Sequence, residues 1–305
     1  TRPVSGYPRF NAPAAYADAA FDAGVNVVSI ANNHSADYGV TGVVRTLRYL
    51  ERMKRERGIV FSGISSDPER LFRPEIITMG EWTIGFLAVT DFTNMWNGNS
   101  LVQIASYRYP YNRERLLDAI ASVAGRTDLF ILSYHGGEEY VSEPSIARRR
   151  FFRELLSAGV DIIWGHHPHV LQPWEITEIR GANKLVMYSL GNFVSAQPAY
   201  TPPALLREPR APTGEPAVFV VRVHHSSQVT LSYSVFPVPI VHFPDQNNYI
   251  SVYYFEKLVE RSSGFEVSDE DPQYELSEER SAFLERRYPI TKTKLRVVFP
   301  TEFVE

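Results

Sequence analysis

Residues 160–170 read VDIIWGHHPHV. The first six are a short apolar run closed by Gly165, the signature of a buried strand too short to be a helix. The residues after it are polar: His166, His167 and His169, three of only eight histidines in 305 residues. The preceding segment, PSIARRRFFRELLSAG (144–159), has helical periodicity and a terminal glycine. Before that, DLFILSYHGG (128–137) is another apolar strand that runs into a histidine and two glycines. Strand, helix, strand, each strand ending in polar residues, predicts a layered α/β fold with its ligand-handling groups at the strand ends.

The alternation continues outward. NAPAAYADAAFDAG (11–24) predicts a helix with Asn11 as cap, Pro13 in the first turn and Gly24 at the end. VNVVSI (25–30) predicts a strand that opens into ANNHSADYG. A long helix is expected over about 38–57, with Val40, Val43, Val44, Leu47 and Leu50 on one face and Gly58 as its stop. IVFSG is a short strand, and EIITMGEWTIGFLAVT (75–90) reads as a hairpin turning at Gly80-Glu81. A helix near 111–124 precedes the 128–137 strand, and KLVMYSLGNF (184–193) is a further strand running into a loop. Beyond 200 the character changes. YTPPALLREPRAPTGEP reads as a proline-rich surface loop, AVFVVRVHH and QVTLSYSVFPV as an antiparallel pair, and the acidic tail VSDEDPQYELSEERSAFLERRY as ending in a short helix. The expected division is a main domain over 1–240 and an extension over 241–305 packed on it.

Composition narrows the function. Lysine and arginine number 31 against 35 carboxylates, a net charge of −4, which argues against a general nucleic-acid binder. With no cysteine there is neither a disulfide nor a thiolate metal site, so any metal falls to His, Asn, Asp or Glu. The lack of cysteine also suits an extracytoplasmic protein. No apolar run is long enough to span a bilayer and no signal peptide is visible. The chain begins at Thr1 and is expected to be processed or trimmed.

Four polar clusters follow apolar strands: Asn32-Asn33-His34, His135-Gly136-Gly137, His166 to His169, and Gly191-Asn192. Imidazole and amide oxygen are ligands for zinc, manganese or iron. In an extended loop His167 and His169 would face the same side, Pro168 stiffening the link between them. They would bind one metal or divide between two. His135 adds a third imidazole and Asn33 an amide oxygen, with His34 left to face a substrate. These groups are expected to converge on a cation. A single histidine after a strand is commonly a satisfied polar residue, and His166, expected to point away from its neighbour, retains that reading. His224, His225 and His242 (the last in a Pro-flanked loop) read as structural or surface groups, and Phe151, Phe152 and Trp82 as core. Arg45, Arg48, Arg52 and Arg55 align on one helix side and Arg148, Arg149, Arg150 and Arg153 cluster on another. Either set is a solvated face or an attractor for carboxylates.

Taken together, SGYPRFNAP, ANNHSADYGVTGVVRTL, HGGEEYVSEPS, GVDIIWGHHPHVLQPWE and YSLGNF resemble the CapA family of poly-γ-glutamate capsule synthesis proteins, over about residues 4–196. That family is similar in fold to calcineurin-like metallophosphoesterases. The resemblance implies a layered α/β sandwich of that type with a β-rich C-terminal part. It implies Asn33, His135, His167 and His169 as ligands of one or two divalent ions (Mn, Zn or Fe), and His34 as the imidazole that contacts a phosphoryl oxygen or protonates a leaving group. Glu139, as a catalytic or substrate group, and Glu175 stand where such sequences carry Glu, with a plain salt bridge as the alternative for each. Asn32, His166 and Asn192 are the remaining supporting or substrate-contacting candidates, Asn192 as a hydrogen-bonding tie. The family's opening Gly-Asp strand and Asn-Leu-Glu segment have no counterpart here, so an acidic ligand, and with it full metal occupancy, is expected to be missing from this chain. The resemblance further implies an extracytoplasmic protein anchored through a segment outside this chain. Its partners would be poly-γ-glutamate or another anionic envelope polymer and possible membrane synthase subunits, with no nucleic acid. The activity would be either hydrolysis of a phosphoester or amide, or non-catalytic polymer binding and synthase assembly.

Overall fold

The computed structural model describes residues 3–195, 211–225, 229–237, 240–243, 249–252, 282, 285–287 and 289–291. The chain falls into two compact units. The first comprises Thr1–Gly137, Ser145–Gly165 and Glu178–Val186; the second comprises Glu138–Pro144, His166–Thr177 and Met187–Glu305. This is a different partition from a division at 240–241, because the chain changes unit several times before residue 190.

The expected elements form, in the expected order. Helix α1 spans Ala14–Asp22, strand β1 Val27–Ser29, helix α2 Gly39–Arg57, strand β2 Val60–Ser62, and the hairpin β3 (Glu75–Met79) and β4 (Trp82–Thr90). Helix α3 (Arg113–Val123), strand β5 (Leu129–His135), helix α4 (Ile146–Ala158), and strands β6 (Ile162–His166), β7 (Trp174–Ile179) and β8 (Ala182–Met187) come next. A six-stranded sheet has the order β3-β4-β5-β6-β8-β7, and β1 and β2 form a separate parallel pair. Within the sheet β3 and β4 are antiparallel while β4 and β5 are parallel, a mixed α/β architecture.

Local chemistry explains most boundaries. α2 buries Val43, Leu47, Leu50 and Met53 at helical spacing. Gly58 closes it at φ 70°, a left-handed conformation that costs other residues a steric penalty. Val40, assigned to the same face, is 45% exposed, because it lies past the edge of the buried stripe. Ser145 caps α4 by accepting from the Arg148 amide at 3.3 Å. The β3–β4 turn falls at Gly80-Glu81 with Met79 opposite Trp82. Asn11 is not the cap of α1, whose flanking residue is Pro13. Asn11 pairs with Ser5 through both backbone groups and donates its amide to the Pro3 carbonyl, tying down the N-terminal loop.

The core of the first unit lies on both faces of β4 and β5. Phe86, Leu87, Ala88, Val89, Phe130, Leu132 and Tyr134 are buried, with Phe151, Phe152, Leu155 and Leu156 of α4 also inside. Phe151 and Phe152 both meet the Tyr134 ring edge-on. Arg148 departs from the expected arginine cluster: it is fully buried, its guanidinium 5.0 Å from the Phe152 ring, because position 148 falls on the inner face of α4.

In the second unit β9 (Ala217–His225) and β10 (Val229–Pro237) form the expected antiparallel pair, Ala217 opposite Pro237. His224 and His225 lie at the end of β9. Strands β11 (Ile240–Phe243) and β12 (Tyr249–Val252) also pair. His242 therefore sits in a strand rather than a loop. Most of the proline-rich segment and of the acidic tail lies outside the described residues.

Candidate functional site

In the first unit, β1 and β5 deliver Asn33, His34 and His135. Asn33 is buried, and its side-chain oxygen lies 3.0 Å from His135 Nε2. The Asn33 carbonyl accepts from the Asn94 amide at 2.7 Å, which fixes the loop after β4 to the loop after β1. His135 is the last residue of β5, its carbonyl held by the Asp91 amide at 2.8 Å. Gly136 must be glycine for space: a Cβ there would lie 2.7 Å from the Asp91 Cβ.

His34 belongs to a dyad that the spacing left unread. Its Nδ1 lies 2.8 Å from Oδ2 of Asp37, a carboxylate only 3% exposed, and the same oxygen accepts from the Phe10 amide at 2.8 Å. A carboxylate only accepts, so Nδ1 is the donor to Asp37, and in the neutral imidazole that leaves the lone pair on Nε2. Nε2 faces the side-chain amide of Asn94 at 3.4 Å, and the Phe10 ring meets the imidazole edge-on at 4.6 Å. Asn32 does not reach toward this opening. Its side-chain oxygen accepts from the His34 amide at 2.8 Å, a turn that builds the loop.

Behind His135 is a second buried carboxylate, Asp91, 5% exposed. It accepts from Ser106 Oγ at 2.6 Å and lies 3.4 Å from Arg108 Nε, while Arg108 also donates to the Gly137 carbonyl at 3.0 Å. Burial raises the Asp91 carboxyl above its ordinary range, with the Ser106 and Arg108 contacts pulling the other way. Burial raises the Tyr134 phenol as well, Asp91 adding to the effect. Asp37, Asp91, Asn94 and Arg108 were not singled out from the sequence. Only Asp37 left a local trace there, three residues after His34.

In the second unit, the loop after β6 is not extended. His167 and His169 both have positive φ, 99° and 62°, which side chains other than glycine adopt rarely. Their rings nevertheless come within 6.1 Å, at 50°. Tyr140 holds this turn by donating its amide to the Pro168 carbonyl at 2.8 Å and stacking on His169 at 5.7 Å. Asn192 links His169 Nδ1, at 2.7 Å, to the Thr213 carbonyl. Glu139 Oε1 is 4.0 Å from His167 Nε2. His166 is the last residue of β6, ahead of the turn. Glu175 accepts from the Tyr188 hydroxyl at 2.8 Å, a tie within the second unit.

Each unit thus offers a pair of donors of the type a divalent ion takes: Asn33 with His135, and His167 with Glu139 or His169. Among the described residues no group of three His, Asp or Glu side chains is gathered to hold a metal ion. The donors fit such an ion in kind and fall short of it in number.

The α/β scaffold carries a histidine–aspartate dyad in the loop after β1 and a pair of neighbouring imidazoles in the loop after β6. The chain belongs to the bacterial capsule synthesis protein PGA_cap family, which matches residues 1–197 and so includes every candidate residue above. It is 34% identical over 177 residues to the PGA biosynthesis protein CapA of Bacillus subtilis, covering 58% of this chain and 44% of that protein. It is 30% identical over 191 residues to the capsule biosynthesis protein CapA of Bacillus anthracis, covering 58% and 41%. The chain spans less than half the length of these relatives. A hypothetical protein from Thermus thermophilus aligns with a TM-score of 0.41 at 15% identity, over 71% of this chain and 78% of that one, too slight a likeness to bear on the fold.

Proposed function

We propose that this protein works in the making or export of an anionic capsule polymer, poly-γ-glutamate by its family resemblance, at the outer face of the bacterial membrane, with His34 as its acid–base group. The observation that carries the reading is the His34–Asp37 dyad. Asp37 holds the imidazole in one tautomer and one orientation, so Nε2 is left to exchange a proton with a substrate oxygen or nitrogen. Asn94 stands where it can donate to the same substrate atom. The reaction class this serves is metallophosphoesterase-like hydrolysis of a phosphoester or an amide. Asn33 with His135 in the first unit, and His167 with His169 in the second, are the proposed metal donors, and an ion held by either pair would supply a polarised oxygen and a more acidic water. Glu139, beside His167, is the nearest candidate to share that chemistry, and His166, Glu175, Asn32 and Asn192 act in support.

That each unit gathers only a pair of such donors among the described residues favours a second reading, in which the chain holds the polymer or its membrane synthase without turning it over. The test is hydrolysis of p-nitrophenyl phosphate and of poly-γ-glutamate, with and without added Mn²⁺ or Zn²⁺, by the parent and by His34→Ala. The hydrolytic reading expects a loss of about 10²-fold or more in the variant. Equal rates in the two proteins would leave only the second reading.

A further inference from the structure

Helix α2 carries six cationic side chains, Arg45, Arg48, Arg52, Lys54, Arg55 and Arg57, against Glu51 and Glu56, a local net charge of 6 − 2 = +4 in a chain whose total is −4. Three of the six are neutralised: Arg52 by Glu56 at 4.0 Å, Lys54 by Glu75 at 2.7 Å and Arg57 by Asp22 at 2.5 Å. Arg45, Arg48 and Arg55 are exposed, and no ion pair is made by any of them among the described residues. At 3.6 residues per turn they fall within an arc of roughly 80°, opposite the buried stripe of Val43, Leu47, Leu50 and Met53, and they span about 15 Å of helix. The helix dipole accounts for Arg55, in the last turn. It does not account for Arg45 and Arg48 at mid-helix, since that effect fades beyond the terminal turn.

We propose that the Arg45–Arg48–Arg55 face of α2 is a docking strip for an extended polycarboxylate. Charge complementarity calls for an anionic chain, which guanidinium forks pair with in bidentate fashion, and the polymer class taken under Proposed function makes that chain a polycarboxylate. A lipid surface is disfavoured: a membrane-lying helix needs an apolar face free to enter the bilayer, and the apolar face of α2 is spent in the core. α2 begins at Gly39, two residues after Asp37, so a chain lying along the strip toward the helix N-terminus runs toward the His34 loop. In its polymer class the strip deepens the reading under Proposed function; binding to it needs no turnover.

The experiment is a fluorescence-anisotropy titration of labelled poly-γ-glutamate against the parent, Arg45→Gln/Arg48→Gln/Arg55→Gln, and a control with the same charge change elsewhere, Arg70→Gln/Arg73→Gln/Arg126→Gln. The expected result is binding by the parent, about tenfold or more weaker in the strip variant with a shallower salt dependence, and within about twofold in the control. The proposal is overturned if the parent does not bind, if both triple variants lose affinity equally, or if the strip variant loses only binding to phosphatidylglycerol vesicles. Polymer binding through the strip without hydrolysis refutes the hydrolytic reading alone. His34-dependent hydrolysis of p-nitrophenyl phosphate without polymer binding refutes the strip alone.

Discussion

Asp37→Asn changes almost no volume yet is expected to be costly. Oδ2 of Asp37 receives two hydrogen bonds, from the Phe10 amide and from His34 Nδ1, each at 2.8 Å. Oδ1 is buried with no hydrogen-bond partner among the described residues. Two N–H groups point at the Oδ2 position, so an asparagine must place its carbonyl oxygen there and its NH₂ where Oδ1 stood. That leaves two donors buried without an acceptor, at about 1–3 kcal/mol, and turns two charge-assisted bonds into neutral ones, each about 1 kcal/mol weaker. A loss of about 3–5 kcal/mol lowers the melting temperature by roughly 6–20 °C for a unit of this size. The His34 tautomer is retained, since the carbonyl still accepts from Nδ1. Thermal unfolding followed by circular dichroism gives the first quantity, and ¹⁵N imidazole shifts the second. A variant that melts within about 1 °C of the parent, or whose His34 proton moves to Nε2, would refute the reasoning, because either result means that Asp37 is not bound as described.

Two further outcomes concern the buried end of β5. The folded Asp91 carboxyl holds its proton more tightly than in the unfolded chain, where the ordinary value is 3.8. Its contribution to stability is therefore full below pH 3.8 and declines as pH rises toward the folded-state value. Urea unfolding across the acid range should show the parent losing stability relative to Asp91→Asn as pH rises, and a parent that instead gains on the variant contradicts this. Gly136→Ala brings a methyl to 2.7 Å from Asp91 Cβ and 2.9 Å from Tyr134 Cε1. Both neighbours are packed, so the substitution should cost about 1–3 kcal/mol in the same unfolding measurement, and a neutral result would mean that the turn is looser than described.

Much of the architecture was legible in the chain itself. The apolar run 160–164, the period of α2, the glycines at 58 and 159 and the turn at Gly80-Glu81 each report a local preference, which neighbours in sequence are enough to express. The same holds for the positions of the polar clusters, since a strand that ends in Asn or His places it at the strand end whatever the partner strand. The pairing of β9 with β10 was legible for the same reason, as adjacent runs of β-rich residues. What only the tertiary structure decided is which distant groups meet. Asn33 and His135 are 102 residues apart in sequence, and His34 and Asn94 are 60 apart. Neither pair is set by any period. Arg148 shows the same limit from the other side: its sequence neighbours read as a charged cluster, and the orientation of α4 buries it. The turn at His167 and His169 was unread because two non-glycine residues at positive φ contradict their own preferences, and only surrounding contacts such as Tyr140 on Pro168 and His169 can hold them there. Local propensity thus determined the elements and where their polar ends fall, whereas long-range packing, which alone can outweigh a residue's own preference, decided which of those polar groups meet.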